Sequence, residues 1–287
     1  MRITITGGSG FLGSHVADEL TKKGHKVIIF DKKKSKWLKV GQKMVVGSIL
    51  NLKELENVIK KSDVIYHFAA LSDLNEALKE PIDSVNFNVL GTVNALELAR
   101  KHKIKRFIHA STIYVNSSEG GFYRCSKKAA EDYVEEYKNF FDLDYTILRF
   151  GSLYGERSDN TNGITETINK TIINGEIRYA GSKDYVRKYI HVTDAAKACV
   201  EILKKNYKNS HINITGNKKI KVHKFLKILA KILNISKKIK FLNKKYTGHY
   251  VATPFTYQPK KGKEFTFKSN ASFKEGLQKL VKSIKKN

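Results

Sequence analysis

Arg2-Ile-Thr-Ile-Thr-Gly-Gly-Ser-Gly-Phe-Leu-Gly13 decides the reading of this chain. Residues 3–6 form a short β-branched run, read as a strand. Residues 11–23 follow with helical spacing, their apolar face including Leu12, Val16 and Leu20. Between them, Gly7, Gly10 and Gly13 fall in a G-x-x-G-x-x-G pattern, which suits a tight turn where side chains would block close backbone approach. A strand turning through glycines into a helix start aims free amides and the positive helix end at phosphate. The expected ligand is a dinucleotide pyrophosphate, held by Gly7, Gly10, Phe11, Leu12 and Gly13.

Working outward, the next strand (27–30) ends at Asp31. A carboxylate at that strand end accepts hydrogen bonds from a ribose diol and repels a 2′-phosphate, which favours NAD over NADP. Lys32, Lys33 and Lys34 compete with this reading, since they could bind such a phosphate or simply coat a solvated turn. The alternation continues with strands at 43–46, 64–68, 106–110 and 145–149. Helices are expected at 52–60, from about 82 to 101, and at 122–140. Alternation of this kind implies an α/β, doubly wound parallel sheet with right-handed crossovers.

Regularity fades after Phe150. Residues 151–163 read as loop, 164–174 as helix, 188–191 as strand, 194–204 as helix, 211–214 as strand and 223–233 as helix. A less regular stretch holds Pro254 and Pro259. The expected organisation is a nucleotide-binding core at 1–150, to which 186–216 returns. Residues 151–185 and 217–287 would then form a smaller C-terminal substrate lobe.

Composition narrows the classes. The 287 residues, 41% of them hydrophobic, can bury a large core. No apolar run approaches the roughly 18 residues of a membrane span. The first strand begins at residue 2, so no cleavable signal is expected before it. Cys125 and Cys199 make no disulfide framework, which fits a reducing cytoplasm. Against 27 acidic residues stand 54 basic ones, a formal charge of +27. Only eight of these are arginine, and no nucleic-acid module accompanies them, so solvated lysine faces are the plainer reading. The positive field would also draw in an anionic nucleotide.

Downstream, Tyr123-Arg-Cys-Ser-Lys127 sets a phenol and an ammonium four residues apart, on one face of a helix. With this pair in view, the chain resembles the extended short-chain dehydrogenase/reductase family, particularly its nucleotide-sugar epimerases and dehydratases. The matching landmarks run in the family's order. They are the opening glycine turn, His67-Phe-Ala-Ala-Leu71, Asn88-Val-Leu-Gly-Thr92, Ala110-Ser-Thr112 and Tyr123-x-x-x-Lys127. Leu148-Arg-Phe-Gly-Ser-Leu-Tyr-Gly155, Arg187-Lys-Tyr-Ile-His-Val-Thr-Asp194 and Asn213-Ile-Thr-Gly216 follow.

The resemblance implies a Rossmann fold binding NAD and a catalytic set of Thr112, Tyr123 and Lys127. A free phenol, with a pKa near ~10, is a poor base at neutral pH. Lys127 is expected to favour its phenolate, as is the positive ring of oxidised cofactor. Cofactor contacts are implied at Phe68, Ala69, Ala70 and Asn88, and again at Tyr123 and Lys127. Substrate contacts are implied at Ser111, Thr112, Ser152 and Arg187, with Ser111 also supporting its loop. An arginine at 187 suits a diphosphate because its fork binds oxyanions bidentately. No metal is expected. Ile113 and Tyr114 stand where the family's dehydratases carry an Asp-Glu pair, so 4,6-dehydration is disfavoured. Cys125 lies two residues from Tyr123 and should face elsewhere. The substrate so implied is a nucleoside-diphosphate sugar, epimerised at C4 through a transient 4-keto sugar in a homodimeric cytoplasmic enzyme. A 4-dehydrogenase or 4-keto reductase with the same triad is the alternative, and a noncatalytic nucleic-acid-binding relative a more distant one.

Overall fold

The computed structural model describes residues 1–235 and 239–242. Its centre is a seven-stranded, all-parallel sheet. In chain order the first elements are β1 (Arg2–Thr6), α1 (Phe11–Lys22), β2 (Lys26–Asp31), β3 (Gln42–Val46), α2 (Leu52–Ile59) and β4 (Val64–His67). Then come α3 (Leu74–Lys79), α4 (Pro81–Val85), α5 (Gly91–Lys101), β5 (Arg106–Thr112), α6 (Gly121–Phe141) and β6 (Tyr145–Phe150). The remainder comprises β7 (Ser152–Tyr154), α7 (Gly163–Asn174), β8 (Ile177–Tyr179), β9 (Val186–Arg187), β10 (Tyr189–His191), α8 (Val192–Glu201), β11 (Ser210–Ile214), β12 (Ile220–Lys221), α9 (Val222–Ile232) and β13 (Ile239–Phe241).

The sheet order is β11-β6-β5-β4-β1-β2-β3. β1 pairs with β2 on one side (Ile5 opposite Ile29) and with β4 on the other (Thr6 opposite His67). Connections therefore diverge at the C-terminal end of β1, where open α/β sheets leave a crevice for a ligand. Residues alternate between two faces. Ile3, Ile5, Ile108 and Leu148 pack with Val16 and Leu20 of α1 and Ala195 and Cys199 of α8. Ile65, Phe107 and Ile147 join Leu55, Leu96 and Val134 of α2, α5 and α6 on the other face. A third, smaller apolar cluster joins Ile177 to Val222, Leu226 and Leu229, apart from the sheet.

The doubly wound sheet is as expected, with differences in the elements around it, among them an antiparallel pairing of β9 with β12. The helix expected from about 82 to 101 is two helices separated by a π-turn at Asn86–Leu90, and α3 precedes them. The wide turn carries Asn88 inward, where its side chain bonds both backbone groups of Leu71. Residues 151–163, expected as loop, contain β7, which pairs in parallel with β10. β8, unforeseen, pairs in parallel with β13. The less regular stretch around Pro254 and Pro259 lies outside the described residues. Among the described residues, no helix is long and apolar enough to cross a membrane.

Candidate functional site

One cleft of ≈ 1390 Å³ opens above the C-terminal ends of β1, β2, β4 and β5. That volume exceeds what a single drug-sized ligand needs, so the cleft can hold two neighbouring molecules.

Its floor begins at the glycine turn. Gly7 has φ +71°, and a Cβ there would lie 2.5 Å from the Ala69 nitrogen. A Cβ on Gly13 would lie 2.3 Å from the Gly7 carbonyl oxygen. The backbones of β1, α1 and the β4 end are thus pressed together more closely than side chains allow. The N-cap residue of α1, Gly10, has no side chain to take up the first amides, and Phe11, Leu12 and Gly13 line the cleft. At the β2 end, the Asp31 carboxylate accepts the amides of Ser9 and Lys33, each at 3.0 Å. Phe68, Ala69 and Ala70 line the wall beyond β4. Glycine cradle, open helix start and strand-end carboxylate together fit a dinucleotide.

The opposite wall carries the titratable groups. β5 ends at Ser111 and Thr112, both buried yet lining the cleft. Thr112 caps the short 3₁₀ turn Ile113–Asn116 by accepting the Tyr114 amide at 3.3 Å. From α6, Tyr123 reaches the cleft half-buried, its phenol within the influence of Thr112. Lys127, one turn further, is 2% exposed and donates to the Ala110 carbonyl at 2.7 Å.

Burial dominates the electrostatics of both groups. Burial pushes the Tyr123 phenol up to about 12, and only the Thr112 hydrogen bond opposes it. Burial likewise pulls Lys127 down to about 8, against the negative charge of Glu131. The Lys127 ammonium is held by Ala110, and burial outweighs whatever favours a Tyr123 phenolate in the cleft as it stands.

Of the implied substrate contacts, Ser152 and Arg187 line the far side of the cleft. Arg187 is 7% exposed, and its guanidinium lies over the Tyr185 ring at 5.3 Å. Ser111 donates to Glu131 at 2.5 Å, so its hydroxyl faces the protein while its strand end faces the cleft. Asn88 is not brought to the cleft. It is fully buried, bonds Leu71 and donates to Ser126 at 2.9 Å, bracing the β4 loop against α6. Cys125 is exposed, away from the cleft lining.

Sequence reasoning missed Lys170 and Arg178, cations on the far wall. Nothing local marks them out among so many basic residues. It also missed Glu131, which lies one helical turn beyond Lys127 and whose partners Ser111 and Arg149 come from other strands. Among the described residues, no cluster of His, Cys, Asp or Glu could hold a metal ion.

Comparison with known proteins agrees with this geometry. Residues 3–215 match the family described as the NAD dependent epimerase/dehydratase family. Over 311 residues the chain is 28% identical to a Methanocaldococcus jannaschii protein provisionally named as a UDP-glucose 4-epimerase, covering 99% of each. It is 30% identical over 272 residues to a dTDP-D-glucose 4,6-dehydratase of Dictyostelium discoideum, covering 82% of this chain and 62% of that one. A crystal structure of UDP-glucose 4-epimerase with UDP-glucose from Thermotoga maritima superposes with a TM-score of 0.81, 26% identity and 90% coverage of both chains. The glycine cradle, the Tyr123–Lys127 pair and a match spanning the whole sheet make this chain a member of the NAD dependent epimerase/dehydratase family.

Proposed function

We propose that this chain is an NAD-dependent enzyme that inverts C4 of a nucleoside-diphosphate sugar through a transient 4-keto sugar. One observation carries the reading: Thr112, Tyr123 and Lys127 meet in a single cleft wall facing the glycine cradle. Gly7, Gly10, Phe11, Leu12, Gly13 and Asp31 would hold the cofactor, with Phe68, Ala69 and Ala70 beside its ring end. NAD, when bound, supplies the hydride acceptor and donor and a positive ring beside the phenol.

The chain's own groups handle the proton and the substrate. Tyr123 takes the proton of the 4-hydroxyl and later returns it, while Thr112 hydrogen-bonds the same substrate oxygen. Lys127 anchors the wall through Ala110 and offers its charge to the ribose and the phenol. Arg187 and Ser152 grip the diphosphate, holding the nucleotide while the sugar turns between faces. In domain terms, we assign 1–150 with 186–216 to the cofactor half and 151–185 with 217–287 to the sugar-nucleotide half, of which 236–238 and 243–287 lie outside the described residues. Ile113 and Tyr114, which cannot act as an acid–base pair, argue against the dehydration named for the Dictyostelium relative.

Assembly and location belong to the same reading. Ile82, Val85, Leu90, Phe122 and Phe140 are exposed on α4, α5's approach and α6, which supports a homodimer through these helices. Two unpaired cysteines support a cytoplasmic site of action.

The test is incubation of the purified protein with UDP-, GDP- and dTDP-sugars, with no NAD added. Interconversion of at least one C4 pair without net NADH is expected. Stoichiometric NADH release would make it a 4-dehydrogenase instead, and inertness of protein carrying bound NAD would overturn the proposal.

A further inference from the structure

Below Tyr123, three charged side chains descend one face of α6 at one-turn intervals: Lys127, Glu131 and Glu135. The first two are buried, Glu131 completely. Three successive strands of the sheet answer them. Ser111 of β5 donates to Glu131 Oε1 at 2.5 Å. Arg149 of β6 donates through Nε to Oε1 at 3.0 Å and through Nη2 to Oε2 at 2.7 Å. His211 of β11 meets Glu135 at 2.7 Å.

A fully buried carboxylate is costly, and replacing such an ion pair with apolar groups commonly does no harm to a fold. Its placement here therefore asks for a use beyond stability. Glu131 touches no cleft space itself, but each of its neighbours does something at the cleft. Ser111 immediately precedes Thr112, so the carboxylate holds the strand end that carries the substrate-facing hydroxyl. Lys127, one turn above, carries the cation under Tyr123.

We propose that Glu131 is a positioning residue, whose carboxylate fixes the Ser111–Thr112 strand end and serves as counter-charge to the buried Lys127 ammonium. The consequence for catalysis rests on the function proposed above; the consequence for Lys127 does not.

The surrounding charges are consistent with this role. Burial lowers Lys127, and Glu131 is the group that raises it. The other titratable groups facing Lys127 are His67 of β4 and His109 of β5, both driven toward the neutral form by burial and by Lys127 itself. Burial favours the neutral Tyr123 phenol in the cleft as it stands. Arg149 is bonded to Glu131 directly, His211 feels Arg149, Glu131, Glu135 and Lys128 together, and Lys128 is already paired with Asp132 at 2.5 Å. Among the described residues, Glu131, one turn away on the same buried helix face, is the anion that raises Lys127.

The experiment compares wild type with Glu131→Gln, Glu131→Asp and the double variant Glu131→Gln/Arg149→Met. The first readout needs no ligand: heteronuclear NMR of the lysine Cε–Nζ signals, with Lys127 assigned by its disappearance in Lys127→Met. Lys127 should titrate about one pH unit lower in Glu131→Gln. Glu131→Asp should restore most of that change. In the double variant the stranded guanidinium is gone, but so is the anion, so Lys127 should still titrate low. The second readout is the alkaline limb of kcat on the active sugar pair. It should move to lower pH by the same amount, with KM for the sugar nucleotide changed by less than about threefold.

An unchanged Lys127 titration in folded Glu131→Gln overturns the proposal. So does lost activity with an unmoved pH limb, or recovery of the wild-type titration in the double variant. If Glu131→Gln does not fold, the double variant decides alone. If the wild type epimerises nothing, the NMR arm still decides the counter-charge role, and only the functional reading falls.

Discussion

The carboxylate of Asp31 accepts the backbone amide of Ser9 at 3.0 Å, tying the end of β2 to the middle of the glycine turn. It also takes the Lys33 amide at 3.0 Å, while Lys32, Lys33 and Lys34 stand exposed around it. Two amides leave the carboxylate with lone pairs for a ribose diol, and its charge repels a 2′-phosphate. Asp31→Ser should remove that repulsion and leave the lysines in charge. The ratio of NADP to NAD affinity should then rise at least about tenfold, read by titration of cofactor-stripped protein. A ratio that stays put would mean the lysines are solvated and Asp31 only braces the turn.

Tyr123→Phe removes one oxygen from the cleft and keeps the ring. If that oxygen moves the proton, kcat should fall about 10²- to 10⁴-fold with cofactor affinity retained. Thr112→Val should also be slow, with Thr112→Ser milder, because the serine keeps the hydroxyl. The assay is interconversion of the active sugar pair, monitored by chromatography. A Tyr123→Phe enzyme within about threefold of wild type would remove the phenol from the chemistry.

What the sequence disclosed follows from which constraints are local. Gly7 and Gly13 answer to clashes within one turn and the adjacent strand end, so their spacing is readable without knowing the fold. Tyr123 and Lys127 need only helical periodicity. Asn88 is expected at the cofactor from the family resemblance alone, and no local period announces the π-turn that swings it inward to bond Leu71 and Ser126. β7 and β8 are three-residue strands whose partners lie far along the chain, so no period could announce them, whereas β10 falls within the strand expected at 188–191. Glu131 reads as a solvated helix residue until Arg149 and Ser111 are seen beside it.

The stretch after β7 is held to the nucleotide half by Arg157, whose φ is +68°. Its Nη2 donates to Asp18 of α1 at 2.7 Å, and its guanidinium lies over Trp37 at 5.0 Å. Asp18 is 5% exposed and also receives Lys39 at 2.9 Å and Gln42 at 3.0 Å. Burial raises its carboxyl, but these hydrogen bonds win and hold it below the ordinary 3.8. Asp18→Asn should cost about 2–3 kcal/mol, less than a fully dry pair because Lys39 is half in water. A depressed carboxyl stabilises above its ordinary value and loses that contribution as pH falls below it. The gap between wild type and Asp18→Asn should therefore narrow below pH 3.8, as read by urea midpoints. A gap independent of pH would show that shape, not charge, makes this contact.

His109 lies in β5, wholly buried, its ring roughly parallel to Phe107 and His67 at centroid distances of 6.5 and 5.9 Å. Neither ring nitrogen has a hydrogen-bond partner among the described residues. His67, by contrast, is held by Thr6 at 2.9 Å and Thr92 at 3.2 Å. A dry, unpartnered imidazole is a cost, because its N–H and lone pair left water for nothing. Burial, then Lys127, then His67 hold the His109 ring well below 6.5. The unfolded chain takes up that proton near 6.5 while the native chain does not, so native stability is lost as pH falls through and below this value. His109→Phe keeps an aromatic ring against Phe107 and removes both nitrogens. It should stabilise by about 1–2 kcal/mol at neutral pH. Its advantage should grow by up to about 1.4 kcal/mol for each unit below 6.5. Urea unfolding between about pH 5 and 8 checks both statements. A variant less stable than wild type throughout, or an advantage that shrinks on acidification, would mean that His109 has a bonded use in the native fold.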